Sequence, residues 1–345
     1  MVYIKDVARE AGVSVATVSR VVANTGYPVR PETRRRVLEA VERLGYRPNS
    51  LARGLRVGRS GVVGLCATTI SNPTVISAVE GIIGVCRSVD RQVHLTATFW
   101  DAAEEIRHLR LFLQEKMAGV ISYPSGAPAE HYLQLQRAGT PVVLINRGVP
   151  GLVAPIVRYD FAGGYAKVVA SLAERGHRRI GAVLPGNGVE RQYHARVWRA
   201  AFERAGLAPA DDLVRQGPVD LVTAEGYSSH GAYVAVRDVL ESSSRPTALL
   251  AGSVTFTLAA IRAIDDAGLR VPDDVALVGT GDQRWELLFT PRIPLLCLDS
   301  FRLGTQAAEM LNDLIDNPEK AQVGAEVLVS VSLENAEVGS PPSRV

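Results

Sequence analysis

The sequence predicts two parts of different class, a small all-α head of helix-turn-helix type followed by a larger α/β region built on parallel sheets. Three observations carry this. Short apolar segments at helical spacing, broken by Gly12, fill the first 46 residues. From Gly61 onward apolar runs alternate with helical patterns. Charge is uneven as well: residues 1–60 hold Lys5 and eleven arginines against five carboxylates, +7, which leaves −5 for the remainder of a chain whose total is +2.

In the head, Ile4, Val7, Ala8 and Ala11 form one stripe of a helix over residues 4–11, and Gly12 ends it. Val13 buries in the corner, and Ser14 caps a second helix, Val15 to Ala23, with Val15, Val18, Val21 and Val22 inward. Two short helices joined by a Gly-containing turn make a helix-turn-helix. Ala16, Thr17, Ser19 and Arg20 are left facing outward, and small side chains there let the helix enter a major groove. A third helix starts at Pro31 and runs to Leu44, with Val37, Leu38, Val41 and Leu44 inward and Arg34, Arg35 and Arg36 outside.

Beyond the head, apolar runs at Val62–Ala67, Val93–Thr98, Val120–Tyr123, Val142–Ile145, Ile180–Leu184, Ala248–Ala251 and Val275–Val278 read as strands. Periodic segments near 74–89, 102–117, 161–175, 191–206, 225–241 and 255–268 read as helices. This alternation means parallel sheets covered on both faces, with ligands expected where loops meet at the carboxyl ends of the strands. At 345 residues and 47% apolar composition the chain holds two or three domains with real cores. No apolar run approaches the roughly 20 residues of a membrane span. The start, Met1-Val2-Tyr3-Ile4-Lys5-Asp6, has no apolar signal core, so a cytoplasmic protein is expected. Three cysteines, Cys66, Cys86 and Cys297, lie far apart and without a CxxC pair, against both a disulfide framework and a structural zinc site.

Catalytic signatures are missing. Gly279-Thr-Gly281 and Gly186-Asn-Gly188 lack the third glycine of a dinucleotide fingerprint, and Gly163-Gly-Tyr-Ala-Lys167 lacks phosphate-loop spacing. There is no HExxH, and Gly226-Tyr-Ser-Ser-His230-Gly231 only approaches a GxSxG elbow. The expectation is therefore a binding protein, without enzyme activity, metal or cofactor.

The run from Ile4-Lys-Asp-Val-Ala-Arg-Glu-Ala-Gly-Val-Ser-Val-Ala-Thr-Val-Ser-Arg to Asn24, then Glu32-Thr33-Arg34 and Leu44-Gly-Tyr-Arg-Pro-Asn-Ser-Leu-Ala-Arg-Gly-Leu55, resembles the LacI/GalR family of bacterial transcription regulators. The match is dense over residues 3–57 and looser to about 335. The resemblance implies a DNA-binding domain at 1–48, a hinge helix and linker at 49–60, and a two-lobed region of periplasmic-binding-protein type at 61–340. It places one lobe at about 61–160 and 292–323, and the other at about 161–291 and 324–340. Carried over position by position, it puts Ser14 at the cap and Val15, Ala16 and Arg20 at base edges, with Arg20 the bidentate guanine reader. Thr17, Ser19, Asn24, Tyr46 and Asn49 would hold phosphates or fix register. Asn49 to Arg56, including Ala52 and Arg53, would form the hinge, with Leu55 as an apolar wedge in the minor groove. A hinge this short is unstable alone, so the family reading implies a homodimer on pseudo-palindromic operator DNA, tuned by a small-molecule effector.

For that effector the resemblance, together with the strand-end positions, nominates Thr69, Asn72, Tyr123, Asn146, Arg147, Asp160, Arg191, His194, Arg196, Trp198, Ser253, Asp282 and Trp285. Three polar anchors depart from the family pattern. His194 stands where relatives place an arginine, Gly281 where they place an aspartate, and Ser253-Val254 where they carry Asn-Asp. The effector expected is a small metabolite, a sugar, sugar acid or sugar phosphate. Arg191, His194 and Arg196 giving a cationic helix and an aspartate lost point to an acidic or phosphorylated one; the alternative is that these arginines face water and Asp282 or Asp160 grips the ligand. The tail, Glu337 to Val345, carries no leucine heptads, so a dimer and not a tetramer is expected. The competing readings are a periplasmic-type ligand-binding protein with no DNA-binding role, and an enzyme of doubly wound fold.

Overall fold

A computed structural model describes residues 2–23, 28–46, 60–186, 189–217, 221–223, 226–228, 230–282, 293–318, 324–334 and 339. Contacts divide the chain into two units, residues 1–60 and 61–345.

The first unit holds α1 (Ile4–Glu10), α2 (Val15–Ala23) and α3 (Pro31–Leu44). Val7, Ala8, Ala11, Val18, Val21, Val37 and Ala40 form its core, with Ile4, Val13, Val22, Val41, Leu44 and Tyr46 packed around it. Two glycines make its corners: Gly12 after α1 and Gly45 after α3 both take φ 62°, a left-handed conformation that costs other residues energy. Ser14 Oγ accepts the Thr17 amide at 3.1 Å and so caps α2, a contact of the kind that contributes about 1 kcal/mol. Arg43 ties α3 to Glu10 at 3.1 Å. Two expected inward positions turn out. Val15 is 44% exposed and Leu38 47% exposed. At 100° per residue Leu38 lies a quarter-turn off the Val37, Ala40, Val41, Leu44 stripe, and Ala40 takes the core position instead.

The second unit contains two six-stranded sheets. Its elements in order are β1 (Val62–Ala67), α4 (Pro73–Ser88), β2 (Gln92–Ala97), α5 (Ala102–Gln114), β3 (Gly119–Ser122), α6 (Ala129–Arg137), β4 (Val142–Ile145) and β5 (Ile156–Tyr159). Then come α7 (Phe161–Glu174), β6 (Ile180–Pro185), α8 (Val189–Arg204), β7 (Val214–Gly217), the hairpin β8 (Leu221–Thr223) and β9 (Gly226–Ser228), α9 (His230–Leu240), β10 (Ala248–Ala251) and α10 (Val254–Asp266). The chain ends with β11 (Ala276–Asp282), β12 (Leu295–Leu298), α11 (Ser300–Asp316), β13 (Glu326–Val329) and β14 (Val331–Glu334).

The first sheet runs β13-β5-β4-β3-β1-β2, and the second β14-β12-β11-β10-β6-β7. Within these two sheets every pairing is parallel except that of β14 with β12. The chain passes between sheets three times, after Tyr159, after Leu298 and after Val329. Two expected lobe boundaries are corrected by these pairings. β12 bonds to β11, Gly279 opposite Leu295, so that strand belongs to the second lobe and the crossing falls at Asp299. β13 bonds to β5, Glu326 opposite Ile156, so the first lobe extends to Val329 before the chain returns. Both strands are too short to announce their sheet by pattern alone. Inside the first lobe α4 and α11 approach through glycine: a Cβ on Gly304 would lie 1.9 Å from the Ala78 carbonyl oxygen, and one on Gly81 2.4 Å from that of Phe301.

Candidate functional site

On α2 the exposed face differs in part from the expected one, since Val15 joins it and Thr17 and Ser19 are half-covered. Ser14, Val15, Ala16 and Arg20 are exposed, Thr17 and Ser19 half-buried, and Val18 and Val21 close the core behind them. Ser14 Oγ and Thr17 Oγ1 also share a hydrogen bond of 2.9 Å. Tyr46 packs on the head core, and its amide donates to the Val41 carbonyl at 3.0 Å. Asn24, Asn49, Ala52, Arg53 and Leu55 lie outside the described residues.

In the second unit a cleft of about 970 Å³ opens between the lobes. The ends of β2, β3, β4 and β5 supply Trp100, Pro124 to Ala127, Asn146 to Pro150, Arg158 and Tyr159, while α7 and α8 supply Phe161, Gln192, Tyr193, His194 and Arg196. A second, inner chamber of about 90 Å³ lies against Thr68, Asn72 and Tyr123 on one side and Pro185, Gly252 and Ser253 on the other. These are the ends of β1 and β3, and of β6 and β10, where strand order reverses in each sheet; such switch points open crevices in parallel sheets.

Of the expected effector residues, Asn146, Arg147, His194 and Arg196 line the main cleft, and Asn72, Tyr123 and Ser253 the inner chamber. Asn72 and Ser253 already act as helix caps: Asn72 Oδ1 accepts the Thr74 amide at 3.0 Å and Ser253 Oγ the Phe256 amide at 3.1 Å. Five others line neither space. Thr69 is fully buried, with Oγ1 accepting the Ser71 amide. Asp160 caps α7 through the Gly163 amide at 2.9 Å. Arg191 reaches Gln216 on β7 at 3.4 Å, and Asp282 is buried at the end of β11. Trp198 is a core residue, 1% exposed and edge-on to Tyr165 and Phe202 at 5.7 and 5.1 Å. Its Nε1 is buried without a hydrogen-bond partner, so the packing of its rings outweighs the cost of that group. Trp285 lies outside the described residues.

His194 corrects the expected cationic helix. It is 2% exposed, and its Nδ1 pairs with the Tyr165 hydroxyl at 2.8 Å. Burial, reinforced by the positive charge of Arg147, pushes its pKa down to about 3. It is therefore a neutral imidazole near pH 7, with Nδ1 engaged and its other ring nitrogen left for the cleft. Arginines supply the cations, with Arg196 on the same helix among them. Arg147 lies 4.0 Å over the Trp100 ring and donates from Nη1 to the Pro124 carbonyl at 3.1 Å. Arg158 and Arg196 both face the Tyr193 ring, at 5.8 and 6.0 Å. Arg158 also pairs with Glu326 at 2.9 Å. Sequence reasoning missed Trp100, Arg158, Phe161 and Tyr193, although each sits at a strand end or beside a residue it did choose.

The backbone is strained at this site. Phe99 and Trp100 take φ 51° and 64°, and Asn146 takes φ 62°. Such conformations cost about 1–3 kcal/mol each and concentrate where geometry serves function. The loop beneath is fixed by Glu105, fully buried on α5, whose carboxylate accepts the Ser125 and Ala127 amides at 2.8 Å each and the Tyr132 hydroxyl. Among the described residues no group of three His, Cys, Asp or Glu is placed to hold a metal ion, and no helix is long and apolar enough to cross a membrane.

The sequence model described as "Bacterial regulatory proteins, lacI family" matches residues 3–49, and the one described as "Periplasmic binding protein-like domain" matches 169–333. Catabolite control protein A of Priestia megaterium is 32% identical over 313 residues, covering 90% of this chain and 91% of that protein. The chain belongs to the LacI family of bacterial regulatory proteins. The HTH-type transcriptional repressor PurR of Pectobacterium atrosepticum is 30% identical over 347 residues, covering 100% of this chain and 99% of that one. Among solved structures of LacI-type regulators, a transcriptional regulator CelR–cellobiose complex is 27% identical with a TM-score of 0.69, covering 98% of this chain and 100% of that one. The Lac repressor dimer bound to operator and the anti-inducer ONPF shares the fold, with a TM-score of 0.80 at 24% identity over 96% of this chain and 97% of that one. As a LacI-family chain the protein is a DNA-binding transcription regulator.

Proposed function

We propose that this regulator represses transcription by holding a pseudo-palindromic operator as a cytoplasmic homodimer, and that a small anionic effector bound between the lobes sets its operator affinity. It acts by binding and not by catalysis, with no metal or cofactor. The observation that carries the effector class is the cleft lining: Arg147, Arg158 and Arg196, with no carboxylate among the described lining residues. Guanidinium groups in a partly enclosed space favour carboxylates and phosphates through paired, charge-assisted hydrogen bonds. The relatives support the regulatory role, being named repressors or control proteins. On the head, Arg20 reads a guanine, Val15 and Ala16 let α2 approach the base edges, and Thr17 and Ser19 hold phosphates. Across the chain, effector binding changes the lobe angle, and differential affinity for the two arrangements shifts operator binding.

Gel-shift titration against inverted repeats upstream of the protein's own gene tests the DNA half. Arg20→Ala and Leu55→Ala should each weaken binding, and wild-type binding unmoved by both would refute the contacts assigned here. A thermal-shift panel of sugar acids, sugar phosphates and neutral sugars tests the effector half. The CelR neighbour is a cellobiose complex, so stabilisation by neutral sugars alone would favour a sugar effector over an anion.

A further inference from the structure

We propose that Arg147, stacked on Trp100, partitions the interlobe cleft, and that the outer chamber, not the crevice at the strand ends, receives an acidic ligand through Arg147, Arg158 and Arg196. This rests on the cleft being the effector site and adds where the ligand sits and which groups hold it.

Size comes first. Ligand pockets typically enclose about 300–1,000 Å³. The outer chamber, about 970 Å³, falls in that range, while the inner one, about 90 Å³, has room for a few waters and none for a sugar ring. Six residues line both: Trp100, Asn146, Arg147, Tyr159, Phe161 and His194. They are the wall between the chambers.

That wall is built and not incidental. Trp100 is turned toward Arg147 by two consecutive aromatic residues in left-handed conformation, and Asn146, on the opposite side, shares that conformation. Bulky side chains adopt it rarely, so packing at the wall overrides local preference here. Arg147 is held twice, by the Trp100 ring at 4.0 Å and by the Pro124 carbonyl at 3.1 Å. Trp100 Nε1 and Asn146 Oδ1 are buried and make no hydrogen bond within the protein. They offer a donor and an acceptor beside the guanidinium, and buried polar groups are seldom left so unless something else satisfies them.

Charge then selects the occupant. Arg158 and Arg196 crowd one phenol ring, that of Tyr193. Glu326 and Asp160 lie near enough to Tyr193 to act on its hydroxyl, yet neither lines the cleft. A carboxylate or phosphate entering the outer chamber meets the Arg147 and Arg196 guanidiniums, oriented by aromatic faces, and that of Arg158, which it would share with Glu326 at 2.9 Å. Its apolar or ring portion meets Phe161, Pro124 and Pro150. His194, neutral, adds a hydrogen-bonding nitrogen without charge.

The test uses the full-length protein and five probes: ribose 5-phosphate, glucose 6-phosphate and citrate, with ribose and glucose as neutral counterparts. Binding is read by calorimetry on wild type, Arg147→Gln, Trp100→Leu, and the pair Arg158→Gln and Arg196→Gln. Ligand-free melting temperatures confirm that each variant is folded. At least one acidic probe should bind wild type, and Arg147→Gln should weaken it about tenfold or more, the effect of removing a charge-assisted pair. Trp100→Leu should weaken acid binding and, by joining the two chambers, admit ribose or glucose. Acid binding that survives Arg147→Gln and Trp100→Leu but fails in the other two variants would overturn the partition while leaving the anionic cleft standing. Failure of every acidic probe to bind wild type, with neutral sugars bound, would remove both. A co-crystal structure with the acid group beside Asn72 and Ser253 would equally overturn the placement.

Discussion

Tyr159 donates its hydroxyl hydrogen to Ser300 Oγ across 2.9 Å, and the two residues stand at two of the three passages between the lobes. Both are buried, at 3% and 1% exposure. The third passage joins them through the backbone, because the Asp160 amide donates to the Val329 carbonyl at 2.9 Å. Tyr159→Phe keeps the ring and deletes the bond, so chemical denaturation should show a loss of about 1 kcal/mol, the net value of a typical buried hydrogen bond. An unchanged midpoint would mean that the passages are held by packing alone.

His194 makes stability depend on pH. Its folded pKa is about 3 against an ordinary value of 6.5. Between those limits the unfolded chain takes up a proton that the folded chain refuses, so this contribution is complete above about pH 6.5 and is lost as pH falls toward 3. The slope is at most about 1.4 kcal/mol per pH unit. His108 and His177, also lowered by burial, act in the same direction. Urea midpoints recorded from pH 7 to 4.5 should therefore drop less steeply for His194→Gln than for wild type, and parallel curves would contradict the assignment.

Glu105 holds the 125–127 segment of the cleft wall from below. In Glu105→Gln an NH₂ replaces one of the two acceptor oxygens and the negative charge behind all three bonds is lost, and bonds to charged groups contribute about 1.5–3 kcal/mol each. A loss of roughly 2 kcal/mol is expected, with faster hydrogen exchange at the Ser125 and Ala127 amides. Unaltered exchange there would show that the loop is fixed by something else.

Two helical glycines on opposing helices give a paired control. Gly304→Ala drives a methyl into the Ala78 carbonyl, whereas Gly84, on the outer face of α4, has nothing within 4 Å of its would-be Cβ. Calorimetry should find Gly304→Ala destabilised by about 1–3 kcal/mol or more and Gly84→Ala stabilised by up to about 1 kcal/mol.

The head was legible almost residue by residue, because a short helix with one apolar stripe, a glycine corner and a serine cap leave few alternatives. Val15 and Leu38 misled because β-branched and leucine side chains carry the same apolar label whether they face a core or a partner. In the α/β region the seven strongest strands were read from their apolar runs, but β5, β7, β12, β13 and β14 were not. Each is four residues long, and β13 and β14 are for the most part only partly buried or exposed. The long helix α11 was missed despite Leu303, Ala307, Leu311 and Leu314 on one face. At the cleft, sequence position located strand ends but could not say which way a side chain turns. Trp198 and Tyr193 occupy one helix, and only packing decides that the first is buried and the second faces the cleft. The neutrality of His194 was likewise invisible, since it follows from three-dimensional burial and from Arg147.

The last two strands finish opposite sheets. β13 borders the first and β14 the second, and a single residue, Ser330, separates them. Without them the strands left at those edges would be β5 in the first sheet and β12 in the second. A chain truncated before Glu326 would present those two buried strands as new edges, a template for aggregation. One short crossing thus shields an apolar strand in each lobe at once, and what loosens it loosens both.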